Sequence, residues 1–145
     1  MTIYFDMDGT IANLYGVENW LDMIIAKDET PYRIAEPLVR MSTLARVLNN
    51  LIKKGYTIGV VSWLAKNSTT EYDEKVTKAK IEWLQKHLKS VKFEEIHIVP
   101  YGTPKHEIVN DKNGILFDDE EPNRTNWKGT AYNVNEIIET LKAIT

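Results

Sequence analysis

The stretch Ile3-Tyr4-Phe5-Asp6-Met7-Asp8-Gly9-Thr10 is an apolar run cut off by two aspartates and a glycine. Ile3, Tyr4 and Phe5 read as a short, buried strand of the parallel type. Asp6 then stands at the strand's carboxyl end, where open α/β sheets place their ligand crevices. Asp8 lies two residues on, and Gly9-Thr10 lets the backbone turn sharply and approach a bound group closely. Alone, the stretch reads equally well as a strand closed by a chemically silent Asp-Gly turn. Its weight comes from residues later in the chain.

Working outward, Val17, Trp20, Leu21, Ile24 and Ile25 fall at i, i+3, i+4, i+7 and i+8, which predicts an amphipathic helix of about three turns. Residues 27–31 break it, and residues 32–37 read as an irregular connection. A second helix, starting near Pro37 or Ser42, carries Met41, Leu44, Ala45, Leu48 and Ile52 on one face. It ends at Lys53-Lys54-Gly55, cations in the last turn and glycine after it. Residues 56–62 form a second strand, apolar almost throughout, and residues 67–70 a polar loop.

A long helix comes next over about 72–88, its inner stripe formed by Val76, Trp83, Leu84, His87 and Leu88, with Lys80 joining by its stem. Its lysines read as a solvated face in preference to a nucleic-acid-binding stripe. Residues 96–100, 114–119 and 130–133 read as three more strands, the middle one again ending in paired acids, Asp118-Asp119. Asn133 with Glu136 offers a capping-box start to a last helix carrying Val134, Ile137, Ile138, Leu141 and Ile144.

Strands alternating with helices imply right-handed βαβ units. The expected fold class is α/β: a Rossmann-like three-layer sandwich with a central, mostly parallel, five-stranded sheet. The 145 residues suit a single domain over 1–145, with one excursion, an insertion at about 13–40.

Composition removes several alternatives. A net charge of −3 supplies no global basic field to recruit nucleic acid or anionic membrane. Cysteine is absent, which excludes disulfides, thiolate metal sites and cysteine nucleophiles. No apolar stretch is long enough to cross a bilayer, and no basic region followed by an apolar segment opens the chain. A cytoplasmic location is expected.

Asp6, Ser62, Lys105 and Asp118/Asp119 all lie at or just past carboxyl ends of expected strands, which converge on one edge of a parallel sheet. Several carboxylates share a crevice only if their charge is cancelled, and Mg²⁺ with oxygen ligands does this. With a lysine, a serine and backbone amides beside it, such a site suits a phosphate dianion. Asp6 is then a candidate nucleophile toward phosphorus and Asp8 a candidate general acid and base. Ser62 and Lys105 are candidate holders of the non-bridging oxygens.

In their order and residue types, Asp6-x-Asp8-Gly9-Thr10, Ser62, Lys105 and Asp118-Asp119 resemble the four motifs of the haloacid dehalogenase (HAD) superfamily, over residues 3–123. The resemblance implies Mg²⁺ bound by Asp6, the backbone carbonyl of Asp8 and Asp118 or Asp119, the choice between the last two left open. Asn123 stands where some members place a further carboxylate. The phosphoryl group would be held by Ser62 and Lys105, with Gly9, Thr10 and Trp63 bordering it. Aspartate at position 8 implies a phosphatase or phosphomutase rather than a dehalogenase or an ion pump. By the same resemblance, the insertion at 13–40 corresponds to a minimal cap over a relatively open site.

The expected partner is therefore a small phosphorylated substrate, with a 5′-nucleotide favoured and a sugar phosphate or a polynucleotide end as alternatives. Trp20 reads first as packing the insertion's helix onto the body; the alternative is that Trp20 and Tyr32 stack on a base and Arg33 pairs with a second anionic group. Trp63 and Lys66 border the crevice. His87, His97 and His106 show no ligand spacing, and Trp127 reads as a packing residue. Two rivals are of another class: a receiver-like phospho-switch and a catalytically inert scaffold. Against the first, the third expected strand ends in Val99-Pro100 with no acid; against the second, every required residue type is present.

Overall fold

The computed structural model describes residues 1–144; Thr145, the last residue of the expected domain, lies outside the described residues. In chain order, β1 (Thr2–Phe5) leads through β2 (Ala12–Asn13), a 3-10 turn at Leu14–Gly16, α1 (Trp20–Ile25), α2 (Thr30–Ile34) and β3 (Glu36–Pro37) into α3 (Met41–Lys53). Then come β4 (Thr57–Trp63), α4 (Thr70–His87), β5 (Phe93–Val99), α5 (Lys105–Ile108), β6 (Ile115–Phe117), α6 (Glu121–Asn126), β7 (Thr130–Tyr132) and α7 (Ile137–Ile144).

Five strands make one sheet in the order β5-β4-β1-β6-β7, and all four pairings are parallel. This is the expected Rossmann-like α/β architecture. β1 sits at the centre, with Phe5 level with Val60 on one side and Phe117 on the other. The chain builds outward from β1 through β4 and β5, then crosses back to add β6 and β7. The order thus reverses beside β1, which is where such sheets open a crevice.

All four residues of β1 are buried, and alternation divides the side chains between two faces. Ile3, Phe5, Ile58, Val60 and Phe117 join Leu44, Leu48 and Leu51 of α3 and Leu141 of α7 in the largest core cluster. Tyr4, Val61 and Leu116 face the other way, against Val109 and Trp127. Trp127 is the packing residue expected: its ring meets Tyr4 edge-on at 5.5 Å and its indole N–H donates to the Gly114 carbonyl at 2.9 Å.

The insertion departs from its sequence reading. α1 has six residues, starting at Trp20 and leaving Val17 outside it. Asn19, with φ 63°, is left-handed and breaks any continuation toward the N-terminus. None of the residues of α1 is buried; Leu21 is 52% and Ile25 67% exposed. The stretch read as irregular instead forms α2 and β3. β3 pairs antiparallel with β2, Ala12 level with Pro37 and Asn13 with Glu36, so the two ends of the excursion lie side by side.

Two boundaries also move. β5 begins at Phe93, ahead of the expected Ile96. The last helix begins at Ile137, because Glu136 has φ 62° and cannot sit in a helical turn, and Asn133 Oδ1 accepts from its neighbour Val134 N–H at 2.7 Å instead of capping. Among the described residues, no helix is long and apolar enough to cross a membrane.

Candidate active site

The loop after β1 is built by its own backbone. The Met7 carbonyl accepts the N–H groups of Thr10, Ile11 and Ala12 at 3.1, 3.0 and 3.0 Å. Gly9 has φ 80°, and a Cβ at that position would collide with the Asp119 carboxylate, so both its backbone angle and the room beside it exclude a side chain. Asp6 N–H donates to the Phe117 carbonyl at 3.0 Å, extending the β1–β6 ladder by one step and bringing Asp6 beside Asp118.

Around Asp6 the polar contacts are dense. Lys105 Nζ donates to Asp6 Oδ1 at 2.9 Å and to Asp118 Oδ2 at 2.7 Å, and Thr10 Oγ1 donates to Asp6 Oδ2 at 3.0 Å. Asp118 is fully buried, its Oδ1 accepting from Glu120 N–H at 2.9 Å and its Oδ2 also from Asn123 Nδ2 at 3.2 Å. Asp119 is less engaged, with Thr10 Oγ1 3.4 Å from its Oδ1. Oxygens of Asp6, Asp118 and Asp119 lie within 4.8 Å of one another.

Three carboxylates thus face one ammonium. Burial, and then the charge of Asp6, pushes the Asp118 carboxyl up despite Lys105; burial, and then hydrogen bonding and charge from Asp6, pushes Asp119 up as well. Burial alone would depress Lys105, but Asp6 and Asp118 hold it above the usual lysine range.

Beside Asp8 stands a second buried ammonium, of a lysine whose stem alone the sequence reading placed on the inner stripe. Lys80 of α4 is 1% exposed, and its Nζ donates to Asp8 Oδ2 at 2.8 Å, Ser62 Oγ at 2.7 Å and the Trp63 carbonyl at 2.7 Å. The stem lies on the inner stripe as expected; the charged head is buried with it. The available signal was a lysine at a stripe position, three residues before Trp83 and four after Val76, on a helix that succeeds a strand ending at the crevice. Burial pushes Asp8 up, Lys80 opposes this, and Asp6 adds to it.

Above these groups opens a cavity of about 560 Å³. Its floor holds Asp6, Asp8, Lys105 and Asn123; its walls are Leu14, Tyr15, Trp20, Leu21, Ile24, Ile25 and Tyr32 of the insertion, with Trp63–Asn67 and Tyr101 opposite. Trp20 and Tyr32 are both in the wall, Trp20 meeting Tyr15 edge-on at 5.0 Å. Trp63 and Lys66 border it as expected, the Trp63 indole N–H donating to the Thr103 carbonyl at 2.8 Å.

Arg33 stands apart from these residues. It is the next residue after Tyr32 on a helix and so points about 100° away from it, where it pairs with Glu29 at 3.4 Å and Glu82 at 3.3 Å, outside the cavity lining. The histidines also lie outside that lining: His97 pairs with Glu95 at 2.8 Å, His87 packs on Trp83, and His106 is 3.8 Å from Glu107. A second hollow of about 570 Å³ runs along α4 between Thr70 and Gln85 and contains none of the candidate chemistry.

No protein-family model and no curated protein matches the chain. Among solved structures it is similar to the D,D-heptose 1,7-bisphosphate phosphatase from Burkholderia thailandensis, with a TM-score of 0.50 and 12% identity over 86% of this chain and 69% of that one. The likeness is one of fold alone, a central parallel sheet flanked by helices.

Proposed function

We propose that the protein is a phosphomonoester hydrolase working through an aspartyl-phosphate, its residues 1–145 one HAD-like domain with residues 13–40 as a small cap. The observation that carries this reading is the pairing at the end of β1: Asp6, held by Lys105 and Thr10, stands beside Asp118 and Asp119, and Asp8 lies in the same loop. Asp6 attacks phosphorus to form an acyl phosphate as the ester oxygen departs with a proton from Asp8. Water then attacks the acyl phosphate, giving its proton to Asp8, and inorganic phosphate leaves.

Lys105 uses two donors on carboxylates, which leaves one N–H of its ammonium for a phosphoryl oxygen. The clustered oxygens of Asp6, Asp118 and Asp119, all hard donors in negative excess, fit Mg²⁺. Bound there, Mg²⁺ would supply the charge cancellation that lets a carboxylate approach a phosphate dianion. Asp119, with fewer hydrogen bonds than Asp118, is the better direct ligand, and Asp118 organises Lys105 and Asn123.

The cavity supports a leaving group with a broad apolar or aromatic face, for which a nucleoside is the leading choice. Leu21, Ile24 and Ile25 would take the base, while Lys27, Lys66 and Asn67 on the same cavity would also serve the hydroxyls of a sugar phosphate, the second choice. The test is Mg²⁺-dependent phosphate release from 5′- and 3′-nucleotides, sugar phosphates and a 3′-phosphorylated oligonucleotide. Turnover lost in Asp6→Asn and with chelator is the expected result. Stable labelling of Asp6 by acetyl phosphate without ester hydrolysis would instead establish a phospho-switch.

A further inference from the structure

We propose that Lys80 is a positioning residue that aims both Asp8 and Ser62 at the phosphoryl group; this rests on the phosphatase reading above. Its three ammonium hydrogens have three acceptors, Asp8 Oδ2, Ser62 Oγ and the Trp63 carbonyl, all within 2.8 Å. Lys80 therefore has no donor left for substrate. Its action is on the two side chains it grips.

Each grip fixes one outcome. A lysine ammonium only donates, so Ser62 Oγ is an acceptor toward Lys80 and its own hydroxyl proton is left for another acceptor, the role a phosphoryl oxygen would fill. Asp8 is held by Oδ2, so Oδ1 is the oxygen left to carry a proton to and from the reacting oxygens. The Trp63 carbonyl ties the lysine to the end of β4, and the Tyr32 ring, 5.1 Å from Nζ, covers it from the insertion.

Stability alone does not account for this lysine. An ammonium buried to 1% exposure carries a desolvation penalty that its ion pair with Asp8 at best offsets, and such a pair replaced as a whole by apolar residues of similar volume is often as stable or more so. Val76, Ala79 and Trp83, its neighbours on the buried side of α4, would accept Met or Leu between them. What Met cannot supply is the fixed direction of Asp8 and Ser62.

The test uses Lys80→Met, with Lys80→Gln as the second variant should the first fail to fold. kcat/KM is measured on two esters, an alkyl phosphate whose leaving oxygen needs a proton and dinitrophenyl phosphate, whose leaving group departs without one. If Lys80 works through Asp8, the alkyl ester loses on the order of 10²-fold more than the activated one. In an Asp8→Asn background, the added loss on the alkyl ester nearly vanishes. Equal losses on both esters, or fully additive losses, would overturn the proposal.

Crystal structures of the wild type and Lys80→Met give a readout independent of turnover. Asp8 and Ser62 swung away from their wild-type rotamers support the positioning role; unchanged rotamers refute it. A wild type that releases phosphate from no ester refutes the phosphatase reading, and the crystal comparison still judges Lys80.

Discussion

The floor and the roof of the cavity are made by different means. The floor is the sheet: Asp6, Asp118 and Ser62 each succeed or end a buried parallel strand, and two buried lysines hold them in place. The roof is the insertion: Leu14 and Tyr32 anchor it in an apolar cluster with Tyr72 and Val76 of α4, while the six-residue α1 above them has no buried side chain. A floor built of charge must be placed to a few tenths of an ångström. A roof built of apolar side chains need only be near. Chemistry should therefore belong to the floor and choice of substrate to the roof.

If the proposed function holds, the largest effect should come from Asp6→Asn, which removes the proposed nucleophile and should abolish phosphate release, while Asp8→Asn should lower it by roughly 10²–10⁴-fold. Next, Lys105→Met leaves Asp6 and Asp118 buried without their cation, and chemical denaturation should record a loss of about 3–5 kcal/mol. Gly9→Ala forces a left-handed residue against Asp119, costing about 1–3 kcal/mol and lowering activity with it. Smallest of all is Leu21→Ser on the roof: stability should stay within about 0.5 kcal/mol, with KM for a nucleotide rising several-fold and kcat nearly unchanged. Equal kcat losses from floor and roof variants would erase the distinction.

Titration sharpens the same contrast. In metal-free protein the folded state raises the carboxyls of Asp118 and Asp119. Their contribution is fully present below the unfolded value of about 4 and is lost as pH rises through the raised folded values. The melting temperature of metal-free protein should accordingly fall as pH rises into the neutral range. Added Mg²⁺ should restore it, more at neutral than at acid pH, and Asp119→Asn should weaken both effects.

This division also governs what could be read in the chain. The floor was legible because each of its acids ends or succeeds an apolar run, a local pattern that survives folding; Asp6, Ser62, Lys105, Asp118 and Asp119 arrive at one edge as their positions imply. Lys80 was only half legible. Its place on the helix stripe comes from periodicity, but whether a lysine head turns out to water or in to an acid depends on Asp8, 72 residues away. The roof was least legible. The apolar spacing from Val17 to Ile25 promised a buried helix face, yet that face looks into a cavity, and periodicity does not distinguish a core from a hollow.

The strand order has a consequence for biosynthesis. β1 precedes both of its partners in the chain and is the central strand of the sheet, and its partner across Phe5 on one side is Phe117. A nascent chain thus exposes an apolar strand with an unpaired edge until Phe117 has been made, and Asp6 acquires Asp118 as a neighbour only after the intervening chain has emerged. Such non-local parallel pairing is slow to form and vulnerable to aggregation while it waits. Products truncated before Asp118 should therefore lack the cluster of Asp6, Asp118 and Asp119 altogether.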